Sequence, residues 1–94
     1  MSSFWGVARL DTNQSVAYTG TAGTIANAVG VGTQKVRVLV TTDAFIKIAK
    51  TPTATTSDVY LPGLSAEYFT IYSGEKVSAV QVASGGTLYV TECV

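Results

Sequence analysis

The sequence predicts an all-β chain: an antiparallel β-sandwich or jelly roll of about seven to nine short strands, with no significant helix. Three observations predict it. Apolar residues alternate with period two in one run after another, most plainly in Lys35–Thr41, KVRVLVT. Turn-forming clusters (Thr42-Asp43, Pro62-Gly63, Ser73-Gly74-Glu75, Ser84-Gly85-Gly86) punctuate these runs, and the short strands recur at a spacing of about eight to twelve residues. No convincing helical segment lies between them, so the alternation of strand and helix that marks a parallel sheet is missing.

Taken in order, residues 1–10 carry the only tryptophan, in the pair Phe4-Trp5, and read as a short first strand or an arm that docks on another surface. Asp11-Thr12-Asn13-Gln14 is turn-like, and Ser15–Thr19 reads as a strand. Residues 19–33, TGTAGTIANAVGVGT, read as a loop, a weak strand around Thr24–Ala28 and a turn at Gly30–Thr33. Four glycines and the β-branched Thr24, Ile25 and Val29 disfavour a helix there. In Lys35–Thr41 the valines 36, 38 and 40 face one way and Lys35, Arg37, Leu39 and Thr41 the other. Ala44–Lys50 sets Ile46 and Ile48 against Phe45, Lys47 and Ala49. Residues 51–57, TPTATTS, form a polar loop in which Pro52 forbids a central strand. Asp58–Leu61 is a short strand that Pro62-Gly63 ends, and Glu67–Tyr72 sets Phe69 and Ile71 against Tyr68, Thr70 and Tyr72. Lys76–Ala83 and Thr87–Thr91 follow, the latter with Leu88 and Val90 opposed to Tyr89. The stretch Tyr68–Val94 as a whole reads as three strands of a β-meander that serves as the scaffold of the fold. Gly85-Gly86 is followed by no helix and is not a phosphate loop. Its reading is a tight turn that needs positive φ.

The chain has 94 residues, which makes one domain, 1–94, with 1–5 as a docking arm. A chain of this size buries roughly 60 to 70% of its unfolded surface, so oligomerisation is a common supplement to its core. Only 13% of the residues are charged, against 47% apolar. Either part of the surface is covered by further copies or a partner, or a serine- and threonine-rich sandwich presents a neutral polar face. Net charge is zero, and the six cations Arg9, Lys35, Arg37, Lys47, Lys50 and Lys76 are scattered, which argues against nucleic acid and anionic membrane as partners. The single cysteine, Cys93, excludes an internal disulfide. No apolar run approaches the ~20 residues that span a bilayer, and MSSFWGVARL lacks the basic start and apolar stretch of a signal peptide.

Catalytic chemistry is not expected. There is no histidine, so neither a Ser/His/Asp nor a Cys/His arrangement can be built. Cys93 has no companion soft ligand for zinc, and no metal or cofactor is expected. Asp11, Asp43, Asp58, Glu67, Glu75 and Glu92 each sit at or beside a turn or strand end, where carboxylates are ordinarily solvated. The five tyrosines, at 18, 60, 68, 72 and 89, read as cross-strand neighbours on a sheet, as a protein interface or as a carbohydrate platform. The candidate partner-binding residues are Phe4, Trp5, Tyr18 and Tyr60.

Residues 36–92 carry a set of framework segments: Val36-Arg37-Val38, Thr41-Thr42-Asp43, Ile46-Lys47-Ile48-Ala49, Pro52-Thr53-Ala54, Leu61-Pro62-Gly63, Glu67-Tyr68-Phe69, Ser73-Gly74-Glu75-Lys76-Val77 and Ala83 to Glu92. This set resembles small virion proteins of tailed bacteriophages, of the head decoration or cement type. The resemblance lies in strand cores and turns and does not extend to residues 1–30. It implies a β-sandwich or jelly roll, no catalytic residues, and a homo-oligomer, a homotrimer by preference, that binds the major capsid protein. Such a protein is made in the host cytoplasm and sits on the capsid surface of the virion. A receptor- or carbohydrate-binding fibre module and a head–tail connector component are the alternative readings.

Overall fold

The computed structural model describes residues 10–93, with side chains placed from residue 12 onward. Phe4 and Trp5 lie outside the described residues. Eight strands are present: β1 (Leu10–Tyr18), β2 (Gly23–Thr24), β3 (Lys35–Val40), β4 (Ala44–Ala49), β5 (Val59–Leu61), β6 (Glu67–Thr70), β7 (Lys76–Gln81) and β8 (Gly86–Cys93). They form two four-stranded sheets, ordered β1-β8-β3-β6 and β2-β7-β4-β5, in which every pairing is antiparallel. There is no helix among the described residues.

The pairings state the topology. β1 pairs with β8, β2 with β7, β3 with β6 and β4 with β5, which is one long hairpin folded back on itself between β4 and β5. Rolling that hairpin lays β3 beside β8 and β4 beside β7, and closes the two sheets over one core. This is the connectivity of a jelly roll.

Alternation decides which side chains enter the core. Val36, Val38 and Val40 of β3 are each 0% exposed, and the half-buried Leu39 faces out. Val38 lies opposite Val90 and Val40 opposite Leu88, so these pairs stack on one inner face. Ile46, Val77 and Ala79 supply the facing layer from the second sheet, with Tyr18, Ile25, Leu61 and Ile71 filling the ends. Each aliphatic side chain so buried contributes about 1.5–3 kcal/mol. The outer face of β7 is also covered. The loop between β4 and β5 lies across it, with Pro52 and Ala54 buried, and the Ala54 N–H donates to the fully buried Ser78 Oγ at 3.0 Å. The polar run at 51–57 therefore lines one sheet, with its proline off the ladder.

Four expectations need correction. Tyr68–Val94 is not a meander, because β6 and β8 belong to one sheet and β7 to the other. The intervening turns carry the chain across the sandwich: Ile71 N–H bonds to Gln34 on one side, while Gly74 N–H bonds to Val29. Asp11-Thr12-Asn13-Gln14 is no turn but the start of β1, with a register shift between Leu10 and Asn13. Its polar residues tolerate a strand because the shift is a bulge at a sheet edge. The weak strand at Thr24–Ala28 shrinks to Gly23–Thr24. Asn27 is drawn to β1 instead, where the Gln14 amide accepts its N–H at 3.0 Å and donates to its carbonyl at 2.9 Å. Finally, Gly85 and Gly86 do not adopt positive φ, which among the described residues is confined to Gly32, Gly74 and Leu64.

Gly86 is required for room. A Cβ there would lie 2.6 Å from each of Tyr18 Oη, Thr41 Oγ1 and Thr42 Oγ1. These atoms form a polar knot. Tyr18 Oη donates to the Thr42 carbonyl at 2.7 Å and accepts the Thr42 N–H at 3.1 Å. Thr42 Oγ1 donates to the Ser84 carbonyl at 2.9 Å, and Thr41 Oγ1 accepts the Thr87 N–H at 2.8 Å. The end of β1, the β3–β4 turn and the start of β8 are thereby tied together. Tyr18→Phe leaves the Thr42 backbone groups without their partner and should cost about 1–2 kcal/mol. For a domain this small that lowers Tm by roughly 4–16 °C. Gly86→Ala should destabilise by about 1–3 kcal/mol through overpacking. Thermal melts followed by circular dichroism measure both, and an unchanged Tm for Tyr18→Phe would show that the knot is not stabilising.

Candidate interaction surface

Among the described residues no group of three or more acids or cysteines is placed to hold a metal ion, and the chain contains no histidine. The feature that stands out is apolar. Among the described residues, five of the seven exposed large hydrophobic ones fall between positions 59 and 72: Val59, Tyr60, Leu64, Tyr68 and Tyr72. Val59, Tyr60, Leu64 and Tyr68 lie along β5, β6 and the connection between them, and Tyr72 lies just past the end of β6. β5 and β6 are the edge strands of their two sheets, so this is one flank of the sandwich.

The flank is open. Val59 lies opposite Ile46, on the register that faces the core, yet it is 61% exposed. Glu67 lies opposite Val38, again on the inward register, and is exposed, while Phe69 is half-buried. Of the residues in β5 and β6, only Leu61 is fully buried. Short edge strands and an inward-pointing charge are devices that discourage indiscriminate strand pairing. Side-chain contact is the mode of recognition they leave available.

Asp43, at the end of the β3–β4 turn, organises the part of the flank on the second sheet. Its Oδ1 accepts the Gly63 N–H at 2.8 Å, and the Tyr60 hydroxyl lies against the same carboxylate. These two donors, the Gly63 amide first and the Tyr60 hydroxyl second, hold the Asp43 pKa below the usual carboxylate range. The same hydrogen bond, with a smaller contribution from desolvation and from the Asp43 charge, raises the Tyr60 pKa. The Tyr60 ring packs edge-to-face on Phe45, with centroids 6.0 Å apart and planes at 68°. Tyr60 is thus held at both ends while half its surface faces solvent.

Leu64 is held differently. Gly63 passes so close to the β3–β4 turn that a Cβ would lie 2.9 Å from the Thr42 Cα and carbonyl carbon. The next amide, of Leu64, donates to the Val40 carbonyl at 2.7 Å. Satisfying that bond places Leu64 at φ 62°, in the left-handed region, with its side chain 75% exposed. A bulky residue in that conformation is strained by about 1–3 kcal/mol. An exposed leucine on strained backbone gains nothing from the monomer's core.

A cleft of about 570 Å³ opens at the other end of β6, between Gly32–Lys35 and Thr70–Ser73. Lys35 and the exposed Tyr72 flank it. The Thr33 hydroxyl in its wall is spent on the buried Glu92, at 2.6 Å, and the Tyr72 N–H on Glu75, at 2.8 Å.

Of the candidate residues, Tyr60 stands on this surface and Phe4 and Trp5 lie outside the described residues. Tyr18 does not belong on a surface: it is 2% exposed, and its hydroxyl is committed to Thr42. Val59 and Leu64 were missed. Alternation marks Val59 as a core residue, and only its place on an edge strand exposes it. Nothing in Pro62-Gly63-Leu64 signals a left-handed leucine. No family model, curated protein or solved structure matches the chain.

Two outcomes test this geometry. The folded-state pKa of Asp43 is depressed, so its contribution to stability is present above the usual carboxylate pKa of about 4 and is lost as pH falls through the lower, folded value. The stability gap between the native chain and Asp43→Asn should therefore be constant near neutrality and close on the acid side of about pH 4. Melts at a series of pH values measure it. Leu64→Gly should leave the fold unchanged or stabilise it by about 1 kcal/mol, since glycine adopts the left-handed region without strain. A loss of stability on that substitution would mean that the Leu64 side chain supports the monomer.

Proposed function

We propose that this chain is a structural virion protein of the head-decoration type, which binds the outer surface of a phage head and stabilises contacts between capsomers. Its partners in this reading are the major capsid protein and further copies of itself, a homotrimer by preference. The observation that carries the reading is the open β5–β6 flank, where apolar side chains are exposed on edge strands in place of a catalytic constellation. The framework resemblance across residues 36–92 supports it. A jelly roll alone does not decide function, because the same fold serves in capsids, lectins and enzymes.

The mechanism is mechanical. A shell opens where capsomers part, and a small rigid domain that spans two of them adds buried surface that must first be broken. Rigidity comes from the doubly covered β7 and the Tyr18 knot. Cyclic symmetry lets every copy meet an equivalent site. The cleft beside Tyr72 favours one alternative, a carbohydrate-binding fibre module, since an exposed tyrosine ring next to hydroxyl groups is a platform for a sugar.

Copy number separates these readings. Quantified protein bands from purified particles should show this chain in near-stoichiometric amount with the major capsid protein, and the purified chain should saturate particles that lack it. A few copies per particle would replace the reading with a connector component, and glycan-array binding without capsid binding would replace it with the fibre module.

A further inference from the structure

Charge is segregated on this fold although the chain as a whole is neutral. Among the described side chains, every cation within a strand faces outward from the sandwich. Lys35 and Arg37 lie on the outer face of the first sheet, alternating with the buried Val36 and Val38. Lys47 and Lys76 lie on the outer face of the second sheet, opposite Ser78 and Ala49 in register. The described acids occupy other places: Asp43, Asp58 and Glu75 at turns or strand ends, Glu92 in the interior, and Glu67 on the flank. Residues 55–70, which form the flank, include Asp58 and Glu67 and no cation at all.

We propose that the occupant of the β5–β6 flank is a second copy of this chain, bound through the outer face of its first sheet, with Glu67 of one copy set against Lys35 and Arg37 of the next. This proposal rests on the interaction-protein reading given above and names the partner at its surface. A symmetric pairing of two flanks would set two cation-free surfaces against each other and leave Asp58 and Glu67 without an opposite charge. The flank needs a surface that carries positive charge and apolar or aromatic area together. The first sheet offers both in one place: Arg37 stands beside Thr91 in register, and Leu39 beside Tyr89. The two cations sit two residues apart on β3, about 7 Å along the strand, and present a paired target for one carboxylate. The second sheet is less available, because the 51–54 segment lies across Ser78. An interface between two different patches of the same chain is heterologous, and it closes into a ring of more than two copies when its rotation permits. Leu64, strained and exposed in the monomer, then gains a partner in the assembly.

The experiment is sedimentation equilibrium of the full chain at low and at physiological ionic strength, with circular dichroism of every variant as the check on folding. The native chain should form a closed oligomer of more than two copies, weakened by added salt. Glu67→Lys should raise the dissociation constant at least tenfold, and so should the combined Lys35→Glu and Arg37→Glu. The chain carrying Glu67→Lys together with Lys35→Glu and Arg37→Glu should recover association to within about threefold of native, since reversing every charge of the contact restores the pairing. Lys47→Glu, on the second sheet, should leave association unchanged. A monomer at all concentrations, a simple symmetric dimer, a swap without recovery, or a larger loss with Lys47→Glu than with Arg37→Glu would each overturn the proposal. Capsid decoration is scored separately on the same variants. A ring that does not decorate particles removes the virion reading and leaves this inference standing, and decoration by monomers does the reverse.

Discussion

The hydroxyl of Tyr18 is the point on which the two sheets depend. It sits at the end of β1 and takes both backbone groups of Thr42, across from it in the β3–β4 turn. Thr42 in turn reaches the β7–β8 turn at Ser84, and Thr41 reaches Thr87. The two sheets are joined by the connections that cross between them, and they gain most of their cohesion from non-directional apolar burial. Burial alone tolerates sliding of one layer over the other. A directional bond from a nearly buried ring, with Gly86 packed against it, removes that freedom at one end of the barrel-like roll. At the other end Glu92 plays a comparable part, accepting the Thr33 hydroxyl and the Gly30 N–H to fix the turn before β3.

Between these two polar ends the core is built from small and branched aliphatic residues, and valine dominates it. Valine suits a strand because its restricted χ1 loses little on folding and its branched surface packs on the pleat. The topology has a kinetic consequence. Three of its four fundamental pairs join residues far apart in sequence, β1 with β8 above all. Non-local pairing of this kind folds slowly, and local hairpins give it no head start. The central hairpin of β4 and β5 is the one pair that is close in sequence.

Where the core is thinnest, the interaction surface begins. β5 has three residues and β6 four, too few to seal the flank they border. Val59, at an inward position, stays exposed, and Leu64 is held out on strained backbone by the Gly63–Thr42 contact and the bond to Val40. Asp43 serves both the fold and this surface: it anchors Gly63 and orients Tyr60 in one contact. A flank arranged in this way leaves apolar side chains exposed that the core does not cover. The distribution of charge, with acids at the flank and cations on the broad faces, is complementary to itself.

The strands were legible in the sequence because alternation is a local property. The spacing of Val36, Val38 and Val40, of Ile46 and Ile48, and of Leu88 and Val90 states which side of a strand is apolar, and the core obeys it. The turn clusters state where each strand stops. Neither signal states which strand lies beside which, since a period of two is the same in every pairing, and a turn that ends a strand is silent about the sheet the next one joins. That is why Tyr68–Val94 has the look of a meander and is instead shared between two sheets. The role of Tyr18, the crowding at Gly86, the exposure of Val59 and the left-handed Leu64 all arise from contacts between segments distant in the chain. Local composition determined the secondary structure and the faces. Only the tertiary packing decided which tyrosine is a core anchor and which edge is left open, because both depend on what lies across the sandwich.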